Sequence, residues 1–266
     1  MFSNHKLREF LDSQYTLFNT QDALNPDKPD PLLIVHRFKN HECLAEIALF
    51  CALLSYGNAK QIVKFLSKFD FKSLQRNQPI SLDTRLFYRF QSAQDIAYLL
   101  EILRICAHKG GVKKVFVHGY SNINFTPFRI LNGIYHSMYY LWQIAHKIGV
   151  HKSTGLKFAL GEIPSRFKPK GQSALKRWNL FARWLVRKDN IDLGLWSEID
   201  SSDLLIPLDT HSFQISKALG LLERNIADLQ SVLELSESLK AFDSQDPIKY
   251  DFALYRIGQL GLLEGR

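Results

Sequence analysis

The sequence is poor in the residues that build disulfide scaffolds and metal centres. It has three cysteines and two methionines among 266 residues. Cys43, Cys51 and Cys106 form neither a Cys-x-x-Cys pair nor a zinc-like spacing, and no two of the nine histidines stand four residues apart. We therefore predict no metal, no iron–sulfur cluster and no cofactor, and expect buried free thiols in a reducing compartment.

Long apolar runs and a secretory leader are missing as well. The most apolar stretches, residues 43–57 and 130–146, are interrupted by polar side chains, which argues against a membrane span. The first twelve residues are charged and lack the apolar core of a signal peptide. With 46% hydrophobic and 23% charged residues, the composition is that of a soluble globular protein. These features predict a cytoplasmic protein without membrane contact, which we expect to be monomeric.

Positive charge is in excess and unevenly distributed. The formal net charge is +8, a sign that favours nucleic acid as a partner. Residues 157–188 hold nine lysines and arginines against the single acid Glu162, whereas residues 189–203 hold five acids and no base. A charged run is usually a solvated face, but a basic block this concentrated also fits a surface that binds phosphates.

Helical periodicity dominates the chain, and strand-like alternation is scarce. Loops are predicted at residues 110–111, 161–171 and 189–207. We predict an all-α fold in which residues 1–266 form a single catalytic unit of two helical lobes with a cleft between them. The predicted helices span residues 5–18, 42–55, 60–68, 94–107, 127–147, 173–187, 210–221, 227–240 and 247–260.

The segment 171–187 holds the first candidate for chemistry. Ser173 follows a loop rich in Gly and Pro and is a typical N-cap, which makes Lys176 the third residue of the predicted helix. A cation at the positive end of a helix dipole costs about 0.3–1 kcal/mol, which favours the neutral amine. Such a broken local rule indicates a nucleophile, although an ordinary solvated lysine is the commoner explanation.

Two later segments carry candidate carboxylates. Asp209 follows Pro207 and stands where a helix begins, so it is either an N-cap or a functional acid. Asp246 followed by Pro247 predicts the start of the last helix. Asp251 and Tyr255 are four residues apart and share a face of that helix.

Together these segments resemble the helix-hairpin-helix (HhH-GPD) DNA glycosylase superfamily. The phrase Ile206-Pro-Leu-Asp-Thr-His211, with a helix that ends Ala218-Leu219-Gly220, is similar to its V-P-V-D-T-H…L-G signature. The nearest likeness is to a bacterial family of unassigned activity within that superfamily. The other matching stretches are Asp30-Pro31, His36-Arg37-Phe38, Ser55-Tyr56-Gly57-Asn58, Tyr88-Arg89-Phe90, Lys176-Arg177, Arg187-Lys188-Asp189, Gly194-Leu195-Trp196 and residues 246–251.

A more distant resemblance is to the archaeal 8-oxoguanine glycosylase/lyase branch. That branch has a catalytic lysine near a helix start and a catalytic aspartate just over thirty residues later; Lys176 and Asp209 are 33 apart. The usual hairpin L-P-G-V-G is absent, since only Gly194 lies between them. The hairpin amides that bind a DNA phosphate in the superfamily are therefore unassigned here.

The resemblance implies a base-excision repair enzyme that acts on double-stranded DNA with a damaged base. Its DNA glycosylase and AP lyase activities would remove 8-oxoguanine, with Lys176 as Schiff-base nucleophile and Asp209 as the stabilising carboxylate. Asp251, Tyr255 and Leu180 would contact the flipped base. The residues expected at DNA phosphates are Arg177, Arg183, Arg187, Lys188 and His211.

Two other readings stay open. One is a nucleic-acid-binding protein that keeps the glycosylase scaffold without excising a base. The other is a monofunctional hydrolase for another base or for a free nucleoside. The lesion, the base opposite it and the oligomeric state have no signal in the residues.

Overall fold

The computed structural model describes residues 4–261 except 26, 28, 81, 82, 84, 151 and 152. Within that part of the chain the fold is all-α, as predicted, with twelve α-helices and no strand. The helices are α1 (Asn4–Phe18), α2 (Leu32–Arg37), α3 (Leu44–Leu53), α4 (Ala59–Leu66), α5 (Ala93–His108), α6 (Gly111–Ser121), α7 (Arg129–Lys147), α8 (Thr154–Leu160), α9 (Lys176–Val186), α10 (Thr210–Ala218), α11 (Leu229–Lys240) and α12 (Asp251–Gln259).

The chain divides into two compact units. The terminal unit combines Met1–Asn25 with Phe167–Arg266, and thus contains α1 and α9 to α12. The central unit is Pro26–Arg166 and contains α2 to α8. Both candidate catalytic residues, Lys176 and Asp209, belong to the terminal unit.

Local signals predicted most helices to within a few residues, and the start of α12 is the clearest error. Asp246 and Pro247 do not cap that helix, which begins at Asp251. The Asp246 carboxylate instead accepts two hydrogen bonds from Arg187, both 2.8 Å long. A long-range ion pair has therefore replaced the local capping role that the sequence predicted.

Three helices, α2, α6 and α8, were not predicted. The Gly110-Gly111 pair was read as a loop, but Gly111 is the first residue of α6. The cap of this helix comes from another element, because the buried carboxylate of Glu46 on α3 accepts from the amide of Val112 at 2.7 Å. Helix α8 has a local cap, in which Ser153 accepts from the amide of Leu156. A cap supplied from 66 residues away has no sequence signal.

Glycines allow α6 and α7 to approach closely. A Cβ atom on Gly119 of α6 would lie 2.5 Å from Cβ of His136, and one on Gly133 of α7 would lie 2.6 Å from Cε1 of Phe116. Both distances are below van der Waals contact. Helix–helix packing thus offsets the poor helix propensity of glycine in these two elements.

All three cysteines are free and buried, as expected. Burial raises the pKa of Cys43 to about 11 and that of Cys106 to about 12. None of the helices in the described ranges combines the length and apolar character needed to cross a bilayer.

We expect Gly133→Ala to destabilise the protein by about 1–3 kcal/mol, the usual cost of overpacking a core. This loss outweighs the gain of about 1 kcal/mol in helix propensity, because the backbone oxygen of Phe116 would be only 3.0 Å from the new methyl group. Urea denaturation measures the difference. Gln143→Ala, at an exposed position of the same helix, is the control; an unchanged or higher stability of Gly133→Ala contradicts the packing argument.

Candidate functional site

Lys176 is the first residue of α9, not the third as predicted. The residue before it, Leu175, takes the N-cap position in a left-handed conformation (φ +51°) without a side-chain cap. Ser173 lies outside the helix, where its hydroxyl accepts from the amide of Leu175 at 3.3 Å. A left-handed conformation is rare for a leucine and costs about 1–2 kcal/mol, so the chain is strained immediately before the candidate nucleophile.

Asp228 anchors the loop that leads to Lys176. This buried aspartate caps α11 by accepting from the amide of Ser231, and it also accepts from the amide of Gly171 at 2.8 Å. The Leu229 amide in turn donates to the carbonyl of Gln172. The start of α9 is therefore tied to the start of α11, which fixes the backbone next to Lys176.

Asp209 is the N-cap of α10. The sequence had offered this role and that of a functional acid as alternatives. Its Oδ1 accepts from the amide of Ser212 at 2.8 Å, and the residue is half-buried. The carboxylate thus lies at the N-terminal end of α10, the positive end of the helix dipole. Capping and participation in chemistry are compatible, since a carboxylate has several acceptor positions.

Helices α10 and α12 pack closely through Gly258. A Cβ atom there would lie 2.8 Å from Cβ of His211 and 3.1 Å from Cγ1 of Ile215. The rings of His211 and Tyr255 meet edge to face with centroids 5.8 Å apart. This contact brings the N-terminal end of α10, with Asp209, next to the face of α12 that carries Tyr255.

Arg183 of α9 and Arg187, the residue directly after this helix, form a buried ion cluster with four aspartates, which we call the arginine–aspartate cluster. Arg183 pairs with Asp251 and contacts Asp192 at 3.2 Å. Arg187 contacts Asp192 at 2.5 Å and Asp189 at 3.0 Å, besides its two bonds to Asp246. The arginines are each 3% exposed. The cluster therefore joins α9, the loop after it, the segment before α12 and α12 itself.

Asp251 lies within the electrostatic field of Asp209. Burial raises the pKa of Asp251 to about 6, Arg183 opposes this shift, and the negative charges of Asp209 and Asp192 add to it. The structure thus brings four predicted residues together around α12: Asp209, Asp251, Tyr255 and His211.

Three predicted roles need correction. Arg183 and Arg187 were expected at DNA phosphates, but both guanidinium groups are buried and already paired with carboxylates. Asp251 was expected to accept hydrogen bonds from a flipped base, yet it is 4% exposed and pairs with Arg183. Because the last two turns of α9 are buried on all sides, the face read as basic and solvated is part of the core.

The other predicted contacts stay predictions. Lys188 is exposed just after α9, while Leu180, Arg177, His211 and Tyr255 are only partly buried.

The turn after α9 does not offer its amides to a phosphate. Amides of Leu193, Leu195 and Trp196 donate to the carbonyls of Trp184 and Leu185 at 2.7–2.9 Å, which caps the end of α9. Gly194 has a φ of +60°, and a Cβ there would lie 2.4 Å from Cβ of Lys188. The single glycine of this region therefore serves helix termination.

A cavity of about 10 Å³ lies beside the arginine–aspartate cluster and is lined by Tyr15, Arg183 and Arg187 among others. This volume suits one water molecule and excludes a base. Among the described residues there is also no group of three or more His, Cys, Asp and Glu side chains that could hold a metal ion.

Sequence reasoning missed the anchoring aspartates. Asp228 precedes an apolar helical pattern and was recognisable as an N-cap, although its bond to Gly171 was not. Asp189 and Asp192 follow shortly after Arg183 and Arg187 in the sequence. The change from the basic block at residues 157–188 to the acidic block at residues 189–203 could have indicated that the two blocks form ion pairs.

We expect the unfolding free energy of the wild type, relative to that of Asp251→Asn, to fall as the pH rises from about 4 to about 6. The folded-state pKa of Asp251 is raised from 3.8 to about 6, so the proton binds more tightly to the folded protein. This contribution is complete below pH 3.8 and is lost as the pH passes 6. Denaturant unfolding across this pH range tests it. Glu237→Gln, which removes an exposed carboxylate of α11, is the matched control; a flat difference for Asp251→Asn contradicts the assignment.

Comparison with known proteins gives one family. The model of a family described as "Protein of unknown function (DUF2400)" matches residues 30–260. No curated protein and no solved structure matches the chain. Since the matched region includes all of the central unit after residue 29 and both candidate catalytic residues of the terminal unit, the chain belongs to the DUF2400 family.

Proposed function

We propose that the protein is a DNA base-excision repair glycosylase with AP lyase activity, in which Lys176 is the nucleophile and Asp209 the assisting carboxylate. The proposal combines the sequence resemblance to HhH-GPD glycosylases with the arrangement of the terminal unit. 8-Oxoguanine is the proposed lesion, by analogy with the archaeal branch.

The main support is the common orientation of Lys176 and Arg183 on α9. Residues seven apart lie within about 20° of the same helix face, separated by about 10 Å along the axis. Arg183 pairs with Asp251, which feels the charge of Asp209. The face of α9 that carries Lys176 therefore also carries Arg183, which contacts Asp251 of α12. This arrangement favours a lysine and a carboxylate acting on one substrate.

The proposed chemistry needs only these two groups. As the glycosidic bond of a flipped nucleotide breaks, positive charge develops on the sugar, and the Asp209 carboxylate stabilises it. The neutral amine of Lys176 forms a bond to C1′ while the base leaves with the bonding electron pair, and the base takes up the proton that the attacking nitrogen gives up. The sugar ring then opens to a Schiff base, and loss of a C2′ proton expels the 3′ phosphate.

Borohydride trapping tests the proposal directly. Hydride reduces the Schiff base, so wild-type protein with a duplex that carries the correct lesion should give a covalent protein–DNA adduct. Lys176→Ala should give no adduct, and Asp209→Asn should form it about 100- to 10,000-fold more slowly, the usual range for loss of a positioned acid–base group. The lesion panel is 8-oxoguanine, uracil, thymine glycol and 3-methyladenine.

Lys240→Ala is the matched control, because Lys240 is a partly exposed lysine of α11 in the same unit. It should form the adduct at the wild-type rate. Absence of an adduct with every lesion, or an adduct that persists in Lys176→Ala, contradicts the proposal. Base release without an adduct would instead select the monofunctional hydrolase.

A further inference from the structure

A tight turn in the central unit presents Arg89 and Phe90 to solvent. Tyr88 and Gln91 exchange both backbone hydrogen bonds (3.0 and 2.9 Å), which leaves Arg89 and Phe90 as a two-residue hairpin loop. The Tyr88 hydroxyl donates to the carbonyls of Leu54 and Tyr56, and the Gln91 side chain donates to the carbonyl of Gly155. The base of the turn is thus buried and held by hydrogen bonds, whereas its tip is exposed.

The loop carries an unexpected residue at its first position. Arg89 has a φ of +52°, a conformation for which such loops normally use glycine. Backbone strain at a residue other than glycine clusters at functional sites, which directs attention to the guanidinium of Arg89. The guanidinium lies over Gly57, where an added Cβ would be 2.6 Å from Nη1 of Arg89.

Aromatic rings surround this arginine. The rings of Tyr56 and Phe90 are nearly parallel with centroids 6.0 Å apart, and Phe158 meets both edge to face at 4.8 and 5.2 Å. The Arg89 guanidinium carbon lies 5.7 Å from the centre of the Tyr56 ring and 5.8 Å from that of Phe90. Phe90 is 59% exposed and Phe158 is 39% exposed. Exposed aromatic rings held rigidly beside a cation form a stacking surface.

The central unit also carries the positive charge of the protein. Its residues 26–166 contain 19 lysines and arginines against 9 acids, a formal +10, whereas the terminal unit has 15 against 17, a formal −2. Helix α4, whose Phe65 stacks on Tyr88 at 4.3 Å, contains no acid. Lys60 and Lys64 of α4 and Lys68 just after it recur every four residues and are exposed. A row of cations therefore lies beside the aromatic turn.

We infer that the Arg89–Phe90 turn is a nucleic-acid contact, in which Phe90 stacks on an unpaired or unstacked base of DNA while Arg89 and the α4 lysines bind the strand's phosphates. The choice of DNA rests on the proposed function; the stacking and charge argument does not. A polyanion fits this surface better than a second copy of the chain does, because two central units of like charge repel each other.

Fluorescence anisotropy can test this contact with a labelled duplex that contains one unpaired thymine and with the same duplex fully paired. The wild type should prefer the unpaired thymine. Phe90→Ala should bind that duplex about 5- to 160-fold more weakly, the range for loss of one base–aromatic stack, with little change for the paired duplex. Phe90→Trp should keep the preference.

Arg89→Gly separates function from folding. Glycine suits the positive φ, so the melting temperature should stay the same or rise. Affinity for both duplexes should fall, and the slope of log affinity against log salt should decrease by about one. Tyr139→Ala, an exposed aromatic of α7 in the same unit, should behave as wild type.

The inference would be overturned if Phe90→Ala bound the duplex with the unpaired thymine as tightly as the wild type does. It would also be overturned if the wild type self-associated and Phe90→Ala did not. The binding assay needs no excision. A Phe90-dependent preference without a borohydride adduct would leave this inference standing and contradict the proposed function. If Phe90→Ala formed the borohydride adduct as well as the wild type and the wild type showed no preference for the unpaired thymine, the proposed function would stand and this inference would be contradicted.

Discussion

The arrangement of the terminal unit depends on the burial of two guanidinium groups in one cluster. Moving such charges out of water costs several kcal/mol each, and the cost is offset only where carboxylates with good geometry surround them. Arg183 and Arg187 meet this condition through four aspartates from three places along the chain. Because these contacts fix α9 against α12, they also set the direction of the face that carries Lys176.

The cluster has more negative than positive charge, and this imbalance has a chemical consequence. Four carboxylates face two guanidinium groups, and Asp209 adds a fifth acid close to Asp251. Burial is the main cause of the raised pKa of Asp251, and the negative field of Asp209 and Asp192 adds to it. In the proposed reaction, the same field would stabilise the positive charge that develops on the sugar next to Asp209 when the base departs. The excess of negative charge that destabilises the cluster thus favours the proposed reaction.

Features with local causes were predictable, and features with distant causes were not. Asp209 as an N-cap follows from its own segment, and so does the all-α class. Arg183 looked like a surface cation because its partner Asp251 is 68 residues away, and the start of α6 depends on Glu46 of another helix. Helical periodicity assigns a face to a residue but does not say whether another element covers that face.

The distribution of charge and strain suggests a division of roles between the two units. A site built from aspartates repels the DNA backbone, so an enzyme of this kind needs cations elsewhere to bind its substrate. In the proposed function, this is the role of the central unit, which has a formal charge of +10. Left-handed non-glycine residues are found among the described residues at Phe71, Arg89 and Leu175. Arg89 directly precedes Phe90, the proposed stacking residue, and Leu175 directly precedes Lys176, the proposed nucleophile. In each unit, therefore, the backbone is strained next to the side chain that is proposed to act.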